Sequence, residues 1–291
     1  IVGEYGQLVI DECHHISARS FELVARQSKA KYVIGLSATV TRKDGHQPII
    51  FMQCGPVRYR VNPRQEAAKR SFQHQVLVRT TEFRMSEESS EGKPPSIQEI
   101  YKALSGDKAR NNMIVEDVLK AIKAGRYPVV LTERRDHLKL LSELIQPYIP
   151  NLIVLKGGMG KKQRRLIQEQ MANVTDGEPR VILSTGRYLG EGFDDARLDT
   201  LFLTLPISWK GTLAQYAGRL HREHYQKKEV VIYDYLDENV PMLLRMYKKR
   251  RRGYYALGYD VEGYQTRQTQ GDSPKETSKS GKASQLEIEL E

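Results

Sequence analysis

Strand-like and helix-like patterns alternate along residues 128–257, and this alternation limits the possible folds more than any other feature of the sequence. Short runs rich in Val, Ile and Leu predict strands at 128–132, 152–155, 180–184, 200–205 and 229–235. Amphipathic stretches around them predict helices at 107–124, 135–148, 161–171, 212–222 and 240–257. Because parallel strands need crossover helices, the pattern predicts an α/β fold with a parallel sheet covered by helices on both faces.

A shorter pattern of the same kind lies near the N-terminus. A strand is predicted at 8–10, a helix at 16–28 and further strands at 32–36 and 72–81. Glu, Ser, Gly and Pro dominate residues 86–95, which is typical of a linker. We therefore expect a first domain over 1–80, a linker or loop over 81–100, a second domain over 101–258 and a disordered polar tail over 259–291.

The charge balance favours a polyanionic partner. The 291 residues include 46 Lys and Arg against 36 Asp and Glu, which gives a formal charge of +10. Two cysteines, Cys13 and Cys54, are too few for a disulfide-rich secreted scaffold. No apolar run reaches the roughly 20 residues of a membrane helix, and no signal peptide is recognisable, so we expect a cytoplasmic protein with no membrane partner.

Two adjacent carboxylates, Asp11 and Glu12, follow the first predicted strand. In nucleotide hydrolysis one carboxylate can hold Mg²⁺ while its neighbour orients or deprotonates the attacking water. A pair of exposed acids at a strand end is the alternative. Zinc binding by the cysteines and histidines at 13–15 and 54 is a weaker hypothesis, because no CxxC or HxxxH spacing is present.

Small hydroxyl residues follow the strand at 32–36, in the string Ser37-Ala38-Thr39. At the end of a neighbouring strand they can hydrogen-bond the two acids and report the state of a nucleotide to a partner domain. Alone, such a string is more typical of a helix cap.

The sequence resembles the superfamily 2 helicases over about residues 5–250. The matching strings are Asp11-Glu12-Cys13-His14 (the DExH box), Ser37-Ala38-Thr39 (motif III), VLTER at 130–134 (motif IV), LKGG at 155–158, Ser184-Thr185-Gly186 with 190–194 (motif V) and QYAGRLHR at 215–222 (motif VI). The string GLSAT at 35–39, with Arg42 and Asp44, is most similar to the type III restriction and DNA-repair translocase branch.

This resemblance implies two RecA-like domains that bind ATP and Mg²⁺ between them and act on nucleic acid, with DNA favoured over RNA. The implied nucleotide-site residues are Asp11 for Mg²⁺, Glu12 for water activation, Arg219 and Arg222 for the transferring phosphoryl group, and Gln215, Gly192 and Asp194 for other nucleotide contacts. Coupling is implied for Ser37, Ala38 and Thr39, and nucleic-acid contact for Lys156, Gly157, Thr185 and Arg187.

Motif VI also has a physical interpretation of its own. On a helix, Gln215, Arg219 and Arg222 would share one face, and two guanidiniums on one face can meet a triphosphate. Gly218 would allow a close approach to that helix. A solvated basic helix face is the alternative.

The densest basic run, 245–252, is followed by Tyr254, Tyr255 and Tyr259. Cations interleaved with aromatic rings fit single-strand binding. The alternative is that the cations simply occupy the C-terminal end of a helix and the tyrosines pack against the sheet.

One expected motif is missing from the sequence, the P-loop G-x-x-x-x-G-K-[ST], which cradles nucleotide phosphates. We therefore expect that Ile1 lies within a longer protein, that residues 1–80 are the C-terminal part of a RecA-like domain, and that the N-terminal half of the motor is the missing partner. The chain alone should hydrolyse ATP negligibly. A non-catalytic nucleic-acid-binding or docking module and an RNA helicase are the alternative functions.

Overall fold

The computed structural model describes residues 2–16, 19–37, 47–85, 94–175, 177–186, 195–207 and 210–263. The strands are β1 (Gln7–Ile10), β2 (Tyr32–Gly35), β3 (Gln73–Thr80), β4 (Pro128–Thr132), β5 (Asn151–Leu155), β6 (Arg180–Thr185), β7 (Thr200–Leu203), β8 (Glu229–Leu236) and β9 (Asp260–Glu262). The α-helices are α1 (Arg19–Arg26), α2 (Gln47–Cys54), α3 (Pro63–Lys69), α4 (Ile97–Gly106), α5 (Lys108–Lys123), α6 (Arg135–Ile145), α7 (Lys161–Asn173), α8 (Lys210–Leu220) and α9 (Pro241–Leu257). Short 3₁₀ helices lie at Val2–Glu4, Cys13–His15 and Gln146–Tyr148. None of the helices in these ranges combines the length and the apolar character needed to cross a membrane.

Seven of the strands form one parallel sheet in the order β5-β6-β4-β7-β8-β3-β9. Each pair of neighbours runs parallel. The α/β class and the parallel sheet predicted from the alternating pattern are therefore confirmed.

Helices cover both faces of this sheet. Val129 and Leu131 of β4 pack in a cluster with apolar residues of α8 and α9. Val130, between them, packs in a second cluster with residues of α5 and α6. Because both faces are covered, the central strands are continuously apolar and do not alternate with polar residues.

The pairing of β3 contradicts the predicted boundary of the first domain. The strand was expected to belong to residues 1–80, but it pairs along its whole length with β8 in the larger sheet. Val76 and Val78 are buried in the core of that sheet, and Thr81 Oγ1 donates to Asp237 at 2.5 Å just beyond it. The smaller unit therefore ends before Gln73.

The pairing of β9 contradicts the predicted start of the disordered tail at residue 259. Residues Asp260–Glu262 pair with β3, so the chain is ordered past Tyr259, which is itself buried. The expected disorder of the remaining tail concerns residues 264–291, which lie outside the described part of the chain.

The linker predicted over 81–100 already contains the start of a helix. Ser96 Oγ accepts a hydrogen bond from Glu99 N at 3.3 Å, and Glu99 Oε2 accepts one from Ser96 N at 2.7 Å. This reciprocal capping box begins α4 at Ile97. Ser96 and Glu99 are thus a capping-box pair that predicts a helix start, but the polar composition of 86–95 led to the prediction of a linker instead.

β1 and β2 form a separate two-stranded parallel sheet. Several of its apolar side chains are exposed: Val9 is 52%, Tyr32 59% and Ile34 43% accessible. The buried residues of this unit form only a small cluster around Cys13, Ile16 and Ile50. A sheet of two strands rarely supplies a stable core by itself, so its faces are available for further packing.

Candidate functional site

The two predicted acids lie in a tight turn at the carboxyl end of β1. Leu36 N donates to Ile10 O at 2.9 Å and Cys13 N donates to Leu36 O at 2.8 Å, so the ends of β1 and β2 are tied together around this turn. Glu12 has a left-handed backbone with φ 48° and ψ 48°, and no other non-glycine residue in the described ranges has a positive φ. Such a conformation costs about 1–2 kcal/mol and recurs at functional sites.

His14 lies between Glu12 and Ser37. Its Nδ1 is 3.0 Å from Ser37 Oγ and 3.0 Å from Glu12 Oε2. The Glu12 contact lacks hydrogen-bond geometry, and Oε2 is buried without a hydrogen-bond partner among the described residues. The expected contact of Ser37 with the acids is therefore made through an imidazole, which also lies against the buried carboxylate oxygen of Glu12.

Asp11 presents a carboxylate of the kind that holds Mg²⁺ in nucleotide sites. The residue is exposed, and its Oδ1 accepts a hydrogen bond from Glu12 N at 2.9 Å. In nucleotide sites Mg²⁺ is held by one or two carboxylates together with phosphate oxygens and water. The described ranges contain no group of three or more His, Cys, Asp or Glu that could hold a metal ion, so an ion at Asp11 would depend on a phosphate for its other ligands.

Cys13 and Cys54 are free thiols that meet beside Gly35. A Cβ at Gly35 would lie 3.0 Å from Cys13 Sγ and 2.9 Å from Cys54 Sγ, so only glycine fits this position of β2. Burial raises the pKa of both thiols. The part of the chain that the structure describes contains no group of three or more His, Cys, Asp or Glu that could hold a metal ion, which disfavours the zinc hypothesis.

In the larger sheet, three residues that were predicted to contact nucleic acid lie at the carboxyl ends of the strands. The register of β5 with β6 brings Lys156 next to Thr185, at the ends of two adjacent strands. Lys156 is exposed and Thr185 is half-buried. Gly157 follows Lys156, and its carbonyl accepts a hydrogen bond from Arg135 Nη2 at 3.3 Å. The arrangement presents a cation and a hydroxyl side by side to solvent.

Motifs IV, V and VI meet at one hydrogen bond. Tyr216 OH of α8 donates at 3.1 Å to Oε1 of Glu133, which follows β4 and lies 83 residues away in sequence. Gly186, after β6, lies against both, since a Cβ there would overlap the Glu133 carboxylate and the Tyr216 hydroxyl. Burial, and then the Glu133 charge, raise the pKa of Tyr216, so the phenol stays protonated and can donate. We call these three residues the motif junction.

α8 carries Gln215 and Arg219, both half-buried, but ends at Leu220. The prediction that Arg222 continues the same helical face is therefore wrong. His221 N donates to Gly218 O at 3.2 Å, an i to i+3 bond that tightens the end of the helix. Arg222 lies in the turn that follows, exposed to solvent.

That turn is held by Lys227. Its Nζ donates to Leu220 O at 2.8 Å and to Arg222 O at 2.7 Å, so one ammonium group satisfies two carbonyls at the end of α8. Burial lowers the pKa of Lys227 to about 8. His221 Nε2 also contacts Tyr259 OH at 2.7 Å, which connects the turn to the segment before β9.

Gly218 has no close neighbour within the described part of the chain, since a Cβ there would meet nothing within 4 Å. The close approach predicted for this position therefore does not involve the described residues. That approach stays a prediction.

Part of the basic run at 245–252 is structural. Arg250 donates to Asp234 through Nε and Nη2, each at 2.8 Å, and through Nη1 to Ile207 O at 3.0 Å. Tyr254 OH donates to the same carboxylate at 2.8 Å. Arg250, Tyr254 and Tyr259 are all buried, so for these residues the packing alternative is correct and nucleic-acid contact is excluded.

Five predicted site residues lie outside the described ranges: Ala38, Thr39, Arg187, Gly192 and Asp194. Their roles stay predictions.

Sequence reasoning did not single out Lys227, Glu133 or Tyr216. Glu133 and Tyr216 stand inside the motif IV and motif VI strings, so their proximity would follow from the RecA-like fold that those strings imply. Lys227 has no such signal, because its partners are main-chain carbonyls and any sequence can supply those.

Comparisons with known proteins agree with this picture. The family model described as "Type III restriction enzyme, res subunit" matches residues 1–42. A mimivirus protein named "Putative ATP-dependent RNA helicase L396" is 24% identical over 271 residues, which cover 91% of this chain and 49% of that protein. The chain thus spans about half the length of this relative. Both matches support the resemblance to the superfamily 2 helicases.

Solved structures show the same fold. T4 UvsW aligns with 90% of this chain and 54% of its own, with a TM-score of 0.52 at 18% identity. A fragment of a putative HsdR subunit of a type I restriction enzyme from Vibrio vulnificus aligns with 88% of this chain and 48% of its own, with a TM-score of 0.61 at 18% identity. The α/β domain is therefore RecA-like, as predicted.

Proposed function

We propose that this chain is the C-terminal part of the motor core of an ATP-dependent helicase or translocase that moves on nucleic acid. The observation that carries this proposal is the motif junction. Three strings identified from the sequence as motifs IV, V and VI converge through Glu133, Gly186 and Tyr216.

Each site residue has a chemical role in this proposal. Asp11 would hold Mg²⁺, which when bound neutralises charge on the phosphates. Glu12, whose side chain is 40% exposed, would orient and deprotonate the attacking water. Arg219 and Arg222 would donate to the phosphoryl oxygens as negative charge develops on them. His14 would transmit a change at Glu12 to Ser37, which it contacts at 3.0 Å.

A preceding segment of the protein would complete the nucleotide site. The amide cradle for the phosphates is not encoded in this chain. Apolar side chains of the smaller unit are exposed, among them Phe21 at 59% and Leu23 at 51% on α1, in addition to those of β1 and β2. We propose that the N-terminal half of a RecA-like domain packs on this surface and supplies the cradle.

Substitution of the proposed base tests the function. In a protein that includes the preceding segment, Glu12→Gln should lower the kcat of nucleic-acid-stimulated ATP hydrolysis by about 10²–10⁴-fold, because it removes a general base but keeps the shape of the side chain. Glu116→Gln, at an exposed position of α5, is the matched control and should leave kcat unchanged.

Two results would contradict the proposal. Full activity of the Glu12→Gln protein would remove Glu12 from the mechanism. Binding of nucleic acid with no stimulated hydrolysis in the unsubstituted protein would favour a non-catalytic module with a helicase fold.

We take DNA as the substrate, because the type III restriction family model matches the DExH region. The mimivirus relative is named an RNA helicase, which makes RNA the second candidate. Stimulation of ATP hydrolysis by single-stranded DNA and RNA of the same sequence, measured side by side, should favour DNA, and a larger effect of RNA would reverse the assignment.

A further inference from the structure

The exposed face of α9 is a row of four cations. Arg245, Lys248, Lys249 and Arg252 are exposed, and their spacing of i, i+3, i+4 and i+7 places them on one side of the helix. We call these four residues the cationic stripe. Tyr255, three residues further, is 46% accessible. Arg251 lies beside it, with its guanidinium carbon 5.7 Å from the centre of the tyrosine ring.

The stripe differs from the other solvated helices of the chain. On three other helices an exposed cation pairs with an acidic residue four positions away: Lys120 with Glu116 on α5, Lys139 with Glu143 on α6, and Arg165 with Glu169 on α7. α9 has no acidic residue in its 17 positions. Like charges three and four residues apart repel, so this face opposes helix stability when nothing binds to it.

The opposite side of α9 fixes the stripe in space. Arg250 is paired with Asp234, and Tyr247 and Tyr254 are fully buried against the sheet. Because the helix is anchored in this way, a ligand would not have to order it on binding. A pre-organised surface loses less conformational entropy on association.

The length of the stripe suits a nucleic-acid backbone. From Arg245 to Arg252 the helix rises by about 10 Å. A strand stacked as in a duplex has one phosphate per about 3.4 Å and so presents about three phosphates over that length. An exposed aromatic ring at one end can take a base, since stacking on a ring accepts any base.

We propose that the cationic stripe and Tyr255 form a second nucleic-acid contact surface, which binds the sugar–phosphate backbone of a single strand. It is distinct from the carboxyl edge at Lys156 and Thr185. α9 contacts β8, β9, α3 and α8, whereas those residues follow β5 and β6 on the other flank of the sheet. The proposal shares with the proposed function only the class of partner, nucleic acid, and does not require ATP hydrolysis.

Salt dependence of binding tests the stripe. The 291-residue chain is titrated onto a fluorescein-labelled 20-nucleotide oligothymidylate without nucleotide, and Kd is followed by fluorescence anisotropy at several salt concentrations. The association constant K falls as the salt concentration rises. Lys248→Gln with Lys249→Gln should make the slope of log K against log salt less negative by about 1.4, because each phosphate contact in a single strand contributes about −0.7. Tyr255→Leu should weaken binding about tenfold with an unchanged slope.

A control with the same loss of charge separates local contact from net charge. Lys123→Gln with Lys139→Gln removes two exposed cations from α5 and α6 and should leave the slope unchanged. An equal change in both double variants, an unchanged slope in the Lys248/Lys249 variant, or no binding by the unsubstituted chain would each overturn the proposal. Thermal unfolding of each variant checks that the fold is retained. Failure of the proposed function would be seen instead as absent ATP hydrolysis in the longer protein, which this binding measurement does not involve.

Discussion

At Gly186, the lack of a side chain allows the Glu133 carboxylate and the Tyr216 hydroxyl to come together. Gly218, in motif VI, has the opposite environment, since a Cβ would meet nothing within 4 Å in the described part of the chain. The sequence presents both as motif glycines. Only the structure separates a glycine that packing requires from one that packing tolerates.

Alanine substitution at these two positions should therefore change stability in opposite directions. Gly186→Ala inserts a methyl group into the motif junction and should lower the free energy of unfolding by about 1–3 kcal/mol. Gly218→Ala, inside α8, should raise it by about 0.5–1 kcal/mol, because alanine favours the helix. Urea unfolding of both variants measures the difference. A stable Gly186→Ala variant would mean that the junction can open without cost.

At the scale of single elements, α9 combines two kinds of arginine. Arg250 is buried and paired with Asp234, whereas Arg252, two residues on, is exposed. In sequence they belong to one uninterrupted basic run. The helical period of 3.6 residues assigns one to the core and the other to the surface.

Substitution by methionine should show that Arg250 stabilises the fold and that Arg252 does not. Arg250→Met leaves the Asp234 carboxylate buried without its cation and should cost about 3–5 kcal/mol of unfolding free energy. Arg252→Met, the control on the same helix, should stay within about 0.5 kcal/mol of the unsubstituted protein. Denaturant titration distinguishes the two outcomes, and equal stability of both variants would show that Asp234 reaches solvent.

Prediction from sequence succeeded where the pattern was long and periodic. The strands β4 to β8 and the helices α6, α7 and α9 lie close to their predicted positions. The strands, α6 and α9 each bury at least one side in the core, whereas α7 is mostly exposed and contacts the core through Ile167 and Met171. α2 and α3 were missed, since α2 is apolar all round and α3 has only seven residues. The position of β3 in the larger sheet depends on pairing with residues more than 150 positions away, which no local pattern encodes.

The candidate site was predictable in part for the same reason. The adjacent acids, the loop at Lys156 and Arg219 of motif VI occupy strand ends or a helix position that a local pattern locates. The end of α8 at Leu220, which takes Arg222 off the helix, depends on two hydrogen bonds from Lys227, a residue in the next loop.

For the whole molecule, buried neutral histidines should make stability sensitive to acid. His137 is 1% exposed, and its ring nitrogens contact Thr132 Oγ1 at 2.9 Å and Asn111 Oδ1 at 3.0 Å. Burial, and then the charge of Arg110, lower the pKa of His137 to about 3. In the unfolded chain this pKa is near 6.5, so only the unfolded state takes up the proton as the pH falls below 6.5.

The contribution of His137 should therefore leave the free energy of unfolding nearly constant well above pH 6.5 and lower it as the pH falls below 6.5. Between pH 6.5 and 4.5 the contribution of His137 lowers the unfolding free energy by about 2 kcal/mol. His137→Asn removes the titrating group and should reduce the fall in unfolding free energy between pH 6.5 and 4.5 by that amount. Chemical denaturation at the two pH values measures this, and an unchanged fall would show that His137 titrates normally in the fold.

The position of β3 between β8 and β9 also has a consequence for synthesis of the protein. Thr81 and Asp237, which join the ends of β3 and β8, are 156 residues apart. A ribosome that adds about 5–20 residues per second needs roughly 8–30 s to reach the partner strand after β3 has emerged. During that time Val76 and Val78, both buried in the finished sheet, have no strand to pack beside. The first strand of the larger sheet to be made is thus among the last to be paired, and the nascent chain should need protection by a chaperone over this interval.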